Sequence, residues 1–231
     1  MKCIRVLIGL IIGLMVLSNQ MPVHAMETGF STESMSDADK ENFITNANIT
    51  MLHSESQKRG IKCFDVNNDG LIAIGTSNSE QKTISVYTMD GDFQYGYTFH
   101  SSGSFGLEWD EDNLIIYWVR SDVAVCVDKD GEIIDVARIE DSVENNTYWN
   151  HSVFAKKRTV GEYNYALKYN GLVFAYTQLE ITNGDGEESI LYEVSSEQFA
   201  EWIVLIIGIV LFVGISVYVL VREIIKESAS K

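Results

Sequence analysis

Three Asp-Gly pairs, each followed by an acidic residue, punctuate the middle of this chain: Asp90-Gly91 before Asp92, Asp130-Gly131 before Glu132, and Asp185-Gly186 before Glu187. Each stands between short apolar runs, and a tight turn joining paired strands needs the positive φ that glycine adopts without steric cost. A second landmark precedes each pair, as Gly70-Leu71-Ile72, Asn113-Leu114-Ile115 and Gly171-Leu172-Val173. Tyr, Phe, Val and Ile fill the runs, and the whole chain holds a single proline, Pro22. That composition suits pleated sheet. Four short strands per repeat are therefore expected. They fall at 61–66, 71–75, 84–89 and 93–99 in the first repeat, and at 105–109, 114–119, 123–127 and 133–139 in the second. The third is looser, at 163–169, 172–178, 179–182 and 190–194.

The step from Gly70 to Asn113 is 43 residues, within the length of one propeller blade. Residues 61–194 resemble the blades of NHL-type β-propellers. The resemblance implies an all-β ectodomain of propeller-like, four-stranded antiparallel repeats, about three in number. Three units fall short of the four or more blades in a closed ring. Either the segment before Gly60 supplies a degenerate fourth, or the array stays open, or partners close it.

The stretch Asp65-Val66-Asn67-Asn68-Asp69-Gly70 matches the opening of an EF-hand calcium loop, with Asp65, Asn67 and Asp69 as candidate metal ligands. Its twelfth position is Thr76, which lacks the two carboxylate oxygens that close such a shell. The apolar run that follows reads as strand, not helix. The corresponding stretches of the other repeats are 108–113 and 166–171, and Ala166 and Lys168 rule out a shared metal role. A hairpin turn is expected here, with no metal and no cofactor.

The two ends of the chain address it to a membrane. A basic start, Met1 to Arg5, precedes an uncharged run at 6–17 that is too short to cross a bilayer. Val23-His24-Ala25 then offers a cleavage site, so 1–25 reads as a signal peptide cut after Ala25. Residues 26–60 form a polar N-terminal lead, either flexible or opening a short helix at Ser36. Residues 61–201 form the extracytoplasmic β-repeat domain. Residues 202–221 carry no charge and are long enough to span a bilayer as a transmembrane helix. Arg222, Lys226 and Lys231 follow in a cytoplasmic tail, 222–231, which gives a single-pass type I topology in the cell membrane.

Residues 26–201 hold 12 Lys and Arg against 31 Asp and Glu, a net charge of −19. Such a field repels nucleic acid and anionic headgroups and favours basic peptides, cations or cationic polymers, or serves only solubility; the expected partner is a membrane or surface protein. Cys63 and Cys126 either pair or sit as small buried hydrophobes. The basic cluster 155–159 reads as a solvated loop, the alternatives being pairing with acidic turns or binding of an anionic surface polymer. His53, His100 and His151 lack metal-ligand spacing, and His100-Ser101-Ser102 stands in no hydrolase signature. Asn48, Asn145 and Asn150 head glycosylation triplets. The tail is too short for a folded effector. These features point to a membrane-anchored extracytoplasmic binding or scaffold module, an accessory partner of another surface component. The alternatives are an anchored hydrolase acting on envelope material and a calcium-stabilised adhesive domain.

Overall fold

The computed structural model describes residues 26–169, 176–194 and 203–218. The signal peptide and cytoplasmic tail expected from the sequence lie outside them. In chain order, β1 (Thr32–Ser34), α1 (Asp37–Ala47) and β2 (Thr50–Leu52) come from the polar lead. The first meander follows as β3 (Ile61–Val66), β4 (Ile72–Asn78), β5 (Gln81–Tyr87) and β6 (Phe93–His100). The second is β7 (Phe105–Asp110), β8 (Asn113–Trp118), β9 (Val123–Val127) and β10 (Ile133–Ile139). A short helix α2 (Val143–Tyr148) and a π turn (Trp149–Val153) lead to the third, made of β11 (Lys157–Val160), β12 (Tyr163–Lys168), β13 (Gln178–Thr182) and β14 (Glu188–Glu193). Each sheet is antiparallel with its meander strands in sequence order.

The lead contributes no fourth unit. Instead β2 adds a fifth strand beside β6, and β1 adds one beside β10. Between them Ser36 caps α1, its Oγ accepting the Asp39 N–H at 3.2 Å, which removes one orphan donor of the first turn. At the start of the described chain, the Met26 N–H donates to Asp135 Oδ2 at 3.3 Å and the Glu27 N–H to Asp110 Oδ2 at 3.0 Å. The polar segment thus closes the outer edges of two sheets, where unpaired backbone would invite another chain.

The Asp-Gly turns repeat in atomic detail. In each, the first residue donates its N–H to the fifth residue's carbonyl and accepts from the glycine N–H, all at 3.0 Å: Thr88–Asp92, Asp128–Glu132 and Asn183–Glu187. Their glycines lie at φ +86°, +85° and +83°. Asn67–Leu71 makes the same turn, with Gly70 at φ +81° and the Asn67 Oδ1 accepting from Asp69 and Leu71 N–H at 3.1 and 2.8 Å. The stretch that reads as a calcium loop is this hairpin turn.

Where the three meanders meet, β3 lies against both β7 and β11. One core, with Ile84, Tyr97, Phe99, Phe105, Leu107 and Trp118, fills the space between the first two sheets. A second, with Phe64, Ile74, Tyr87, Leu179 and Tyr192, joins the first sheet to the third. A third, with Phe30, Tyr117, Ile139 and Val153, lies under the lead and the π turn. Cys63 belongs to the first core and Cys126 to the third, and both are free, buried thiols. Burial, with Asp110, Asp135 and Asp128 nearby, pushes the Cys126 thiol up to about 12, so it stays protonated and unreactive at neutral pH.

The third repeat departs from expectation. Its first strand is β11, which overlaps the basic cluster expected as a loop, and its first hairpin turns at Gly161-Glu162. Arg158 and Val160 are partly covered while Lys157 and Thr159 are exposed, so the period-two signal is carried by a cation instead of a hydrophobe. β13 pairs directly with β12. Gly171 and most of the expected strand 172–178 lie outside the described residues. Residues 203–218 are helical and exposed throughout, Phe212 at 74%. Among the described residues no helix is long and apolar enough to cross a membrane, and the expected span 202–221 runs past them at both ends.

Candidate binding site

The residues singled out as calcium ligands are engaged in separate tasks. Asp65, near the end of β3, accepts the Trp109 N–H of β7 at 2.9 Å through Oδ2. Its Oδ1 lies 2.9 Å from Nε of Arg158 on β11, although that N–H is not aimed at it, so the pairing is coulombic. Arg158 instead directs Nη2 to the Ser152 carbonyl at 2.6 Å. One carboxylate therefore touches all three meanders. Burial raises its pKa, and the opposing pulls of Arg158 and of the Trp109 and Val66 amides do not cancel that rise. Asn67 is committed to its turn, and Asp69 is exposed on the same turn. Among the described residues no group of three or more His, Cys, Asp or Glu side chains is arranged to hold a metal.

Beside Asp65, Glu108 anchors a polar knot. Its Oε2 accepts the Tyr117 hydroxyl at 2.5 Å, its Oε1 accepts the Tyr148 hydroxyl, and Thr28 Oγ1 lies 2.6 Å from the Tyr117 oxygen. Burial first, then Glu108, raises both tyrosine pKa values, so these phenols donate and do not ionise. Gly29 lets Tyr148 in, since a Cβ there would strike the ring. Asn145 is 3% exposed, and its amide donates to the Ser31 and Glu140 carbonyls at 3.0 and 2.7 Å. It is a strut, not a glycan acceptor surface.

His100, Ser101 and Ser102 end β6 and begin the connection to β7. The His100 carbonyl accepts from Trp118 Nε1 at 3.0 Å, and Ser101 Oγ lies 3.4 Å from both the nitrogen and the oxygen of Gly103. This connection forms the shared wall of two adjoining grooves, which meet at Ser102.

The larger groove, about 410 Å³, opens between the first sheet and the start of the second. Lys62 from β3, Ser77 from β4 and Lys82 from β5 line one side; Ser102, Ser104 and Phe105 line the other, and Phe154 borders it. Ser77 and Lys82 are directly paired across strands, which brings both side chains to one face. Lys82 is only 6% exposed, and its Nζ donates to Ser77 Oγ at 2.9 Å and to the Ser79 carbonyl at 2.6 Å. Burial and the neighbouring Lys62 charge lower its pKa, against a smaller opposite pull from Glu80. The second groove, about 370 Å³, adds Arg120, His100 and Trp118. Among the described residues no carboxylate lies within ion-pair distance of Lys62, Lys82 or Arg120. Sequence reasoning passed over this cluster. The available signal was a lysine interrupting each of two apolar strands, in IKCF and QKTISVY, within a domain short of cations.

No protein-family model matches the chain, and no curated protein matches it. Among solved structures, it is similar to a catalytically inactive virginiamycin B lyase from Staphylococcus aureus, determined with quinupristin, at 14% identity and a TM-score of 0.27. The match covers 62% of this chain and 44% of that one, so the chain spans less than half its length. A likeness of that size carries no argument about activity, and the sheet architecture rests on the pairing registers alone.

Proposed function

We propose that the protein is a membrane-anchored extracytoplasmic binding or scaffold module, built as an open, propeller-like array of three meanders and serving another membrane or surface protein. One observation carries this reading. Residues 203–218 form an uncharged helix whose apolar side chains stay uncovered, while the three sheets bury their own apolar faces against one another. A helix apolar on every side calls for an apolar surrounding, and the uncharged sequence continues to residue 221. The acidic sheets then stand outside, where their field disfavours nucleic acid and leaves concave surface between meanders for recognition.

The test uses the full-length chain with a C-terminal tag, made in intact cells and exposed to external protease. The expected result is loss of the acidic domain, a tag that stays protected, and a fragment retained in the membrane fraction after alkaline washing. A tag that is digested, or a chain released by the wash, would overturn the reading.

A further inference from the structure

We propose that the groove bounded by Lys62, Lys82 and Ser102 is an oxyanion site, taking a single phosphate or carboxylate head carried on a small apolar body. The proposal rests on the binding-module reading and names the ligand class of that module.

An ammonium has three N–H groups, and Lys82 directs two of them to Ser77 Oγ and the Ser79 carbonyl. Both acceptors are neutral. Lys82 as a residue is 6% exposed, its ammonium has no carboxylate at ion-pair distance among the described residues although Glu80 pulls on it from farther off, and a second ammonium, Lys62, lines the same groove. A buried cation without a counter-charge is costly to retain. An acidic chain had carboxylates in plenty, yet among the described residues sets none at ion-pair distance and gives the ammonium a hydroxyl and a carbonyl instead, with Glu80 acting only from farther off. Ser102 and Ser104 can each donate to an oxygen of a bound anion, the Ser77 hydroxyl being committed to the Ser79 carbonyl at 3.1 Å, while Phe154 offers apolar surface beside the groove. The surrounding charge narrows the class further. A net −19 over residues 26–201 opposes any polyanion, so the ligand bears one charged head instead of a run of them.

The experiment titrates the full-length protein in detergent micelles with phenyl phosphate, phenylacetate and inorganic phosphate. Saturable binding of phenyl phosphate or phenylacetate is expected, tighter than that of inorganic phosphate. Which aromatic anion binds better identifies the head. Lys62→Gln, at an exposed position, should weaken binding about tenfold with the melting temperature unchanged, as expected for losing one charged hydrogen-bonding group. Lys82→Met should weaken it further. Absence of saturable binding for all three anions, or affinities untouched by both substitutions, would overturn the proposal. Because the protease and washing results do not depend on these lysines, failure here leaves the anchored-module reading intact, and failure there removes the anchoring while the titration still decides the groove.

Discussion

The first two meanders and the third solve the same folding problem with different coverings. β4, β8 and β9 are buried along most of their length on both faces, because each of these sheets has a core on either side. β13 alternates instead: Leu179 and Ile181 are buried, while Gln178, Glu180 and Thr182 are partly exposed. The third sheet packs on the first through one face only. A strand's hydrophobic pattern thus reports how many neighbours its sheet has, and the polar outer face of the third marks the array's open side.

Several substitutions can break or sharpen that contrast. The largest effect is expected from Arg158→Ala, which strands the buried Asp65 carboxylate at the junction of all three meanders. A loss of about 3 kcal/mol should appear in denaturant unfolding, with third-sheet amides exchanging first. Gly75→Ala should cost about 2 kcal/mol by overpacking, because a Cβ at that position would sit 2.5 Å from Cys63 Sγ and 2.8 Å from a Phe105 ring carbon. Unlike Arg158→Ala, it should loosen the first and second sheets together. Tyr192→Phe removes the hydroxyl that donates to the Arg59 carbonyl and accepts the Arg59 N–H, both at 2.8 Å, and should cost about 1 kcal/mol by the same assay. Glu111→Gly, at φ +52° in the β7–β8 turn, should gain about 0.5 kcal/mol by relieving a left-handed backbone.

The pH dependence has a definite sign. Asp65 titrates above its ordinary value of 3.8 in the folded state, with burial as the main cause. The folded protein therefore holds that proton more tightly than the unfolded chain. Its contribution to stability is greatest below 3.8 and falls as pH rises through the raised folded value. Melting temperatures of the wild type, compared with Asp65→Asn across mildly acidic pH, should show the wild type losing ground as pH increases. A difference that stays flat, or grows in the opposite direction, contradicts the burial account.

How much was legible in the sequence follows from the same contrast. Two-sided burial writes itself as unbroken apolar runs, and VAVCV and NLIIYW were readable as strands for that reason. The Asp-Gly turns were readable because their geometry is local to five residues. Lys157–Val160 was not, since its inward position is an arginine whose partner, Asp65, lies on a strand far away in sequence. The lysine groove escaped for a similar reason. Lys62, Lys82 and Ser102 come from three separate elements, and only the fold makes them neighbours.

A last consequence concerns the Met26 nitrogen, held beside Asp135 with Lys40 on that carboxylate's other oxygen at 3.5 Å. If the leader is excised after Ala25, this nitrogen ceases to be a peptide amide and becomes a free ammonium. Scission would then create a positive charge already facing its counter-ion. The trimmed chain would gain an ionic clasp at the edge of its second sheet that the precursor is chemically unable to form.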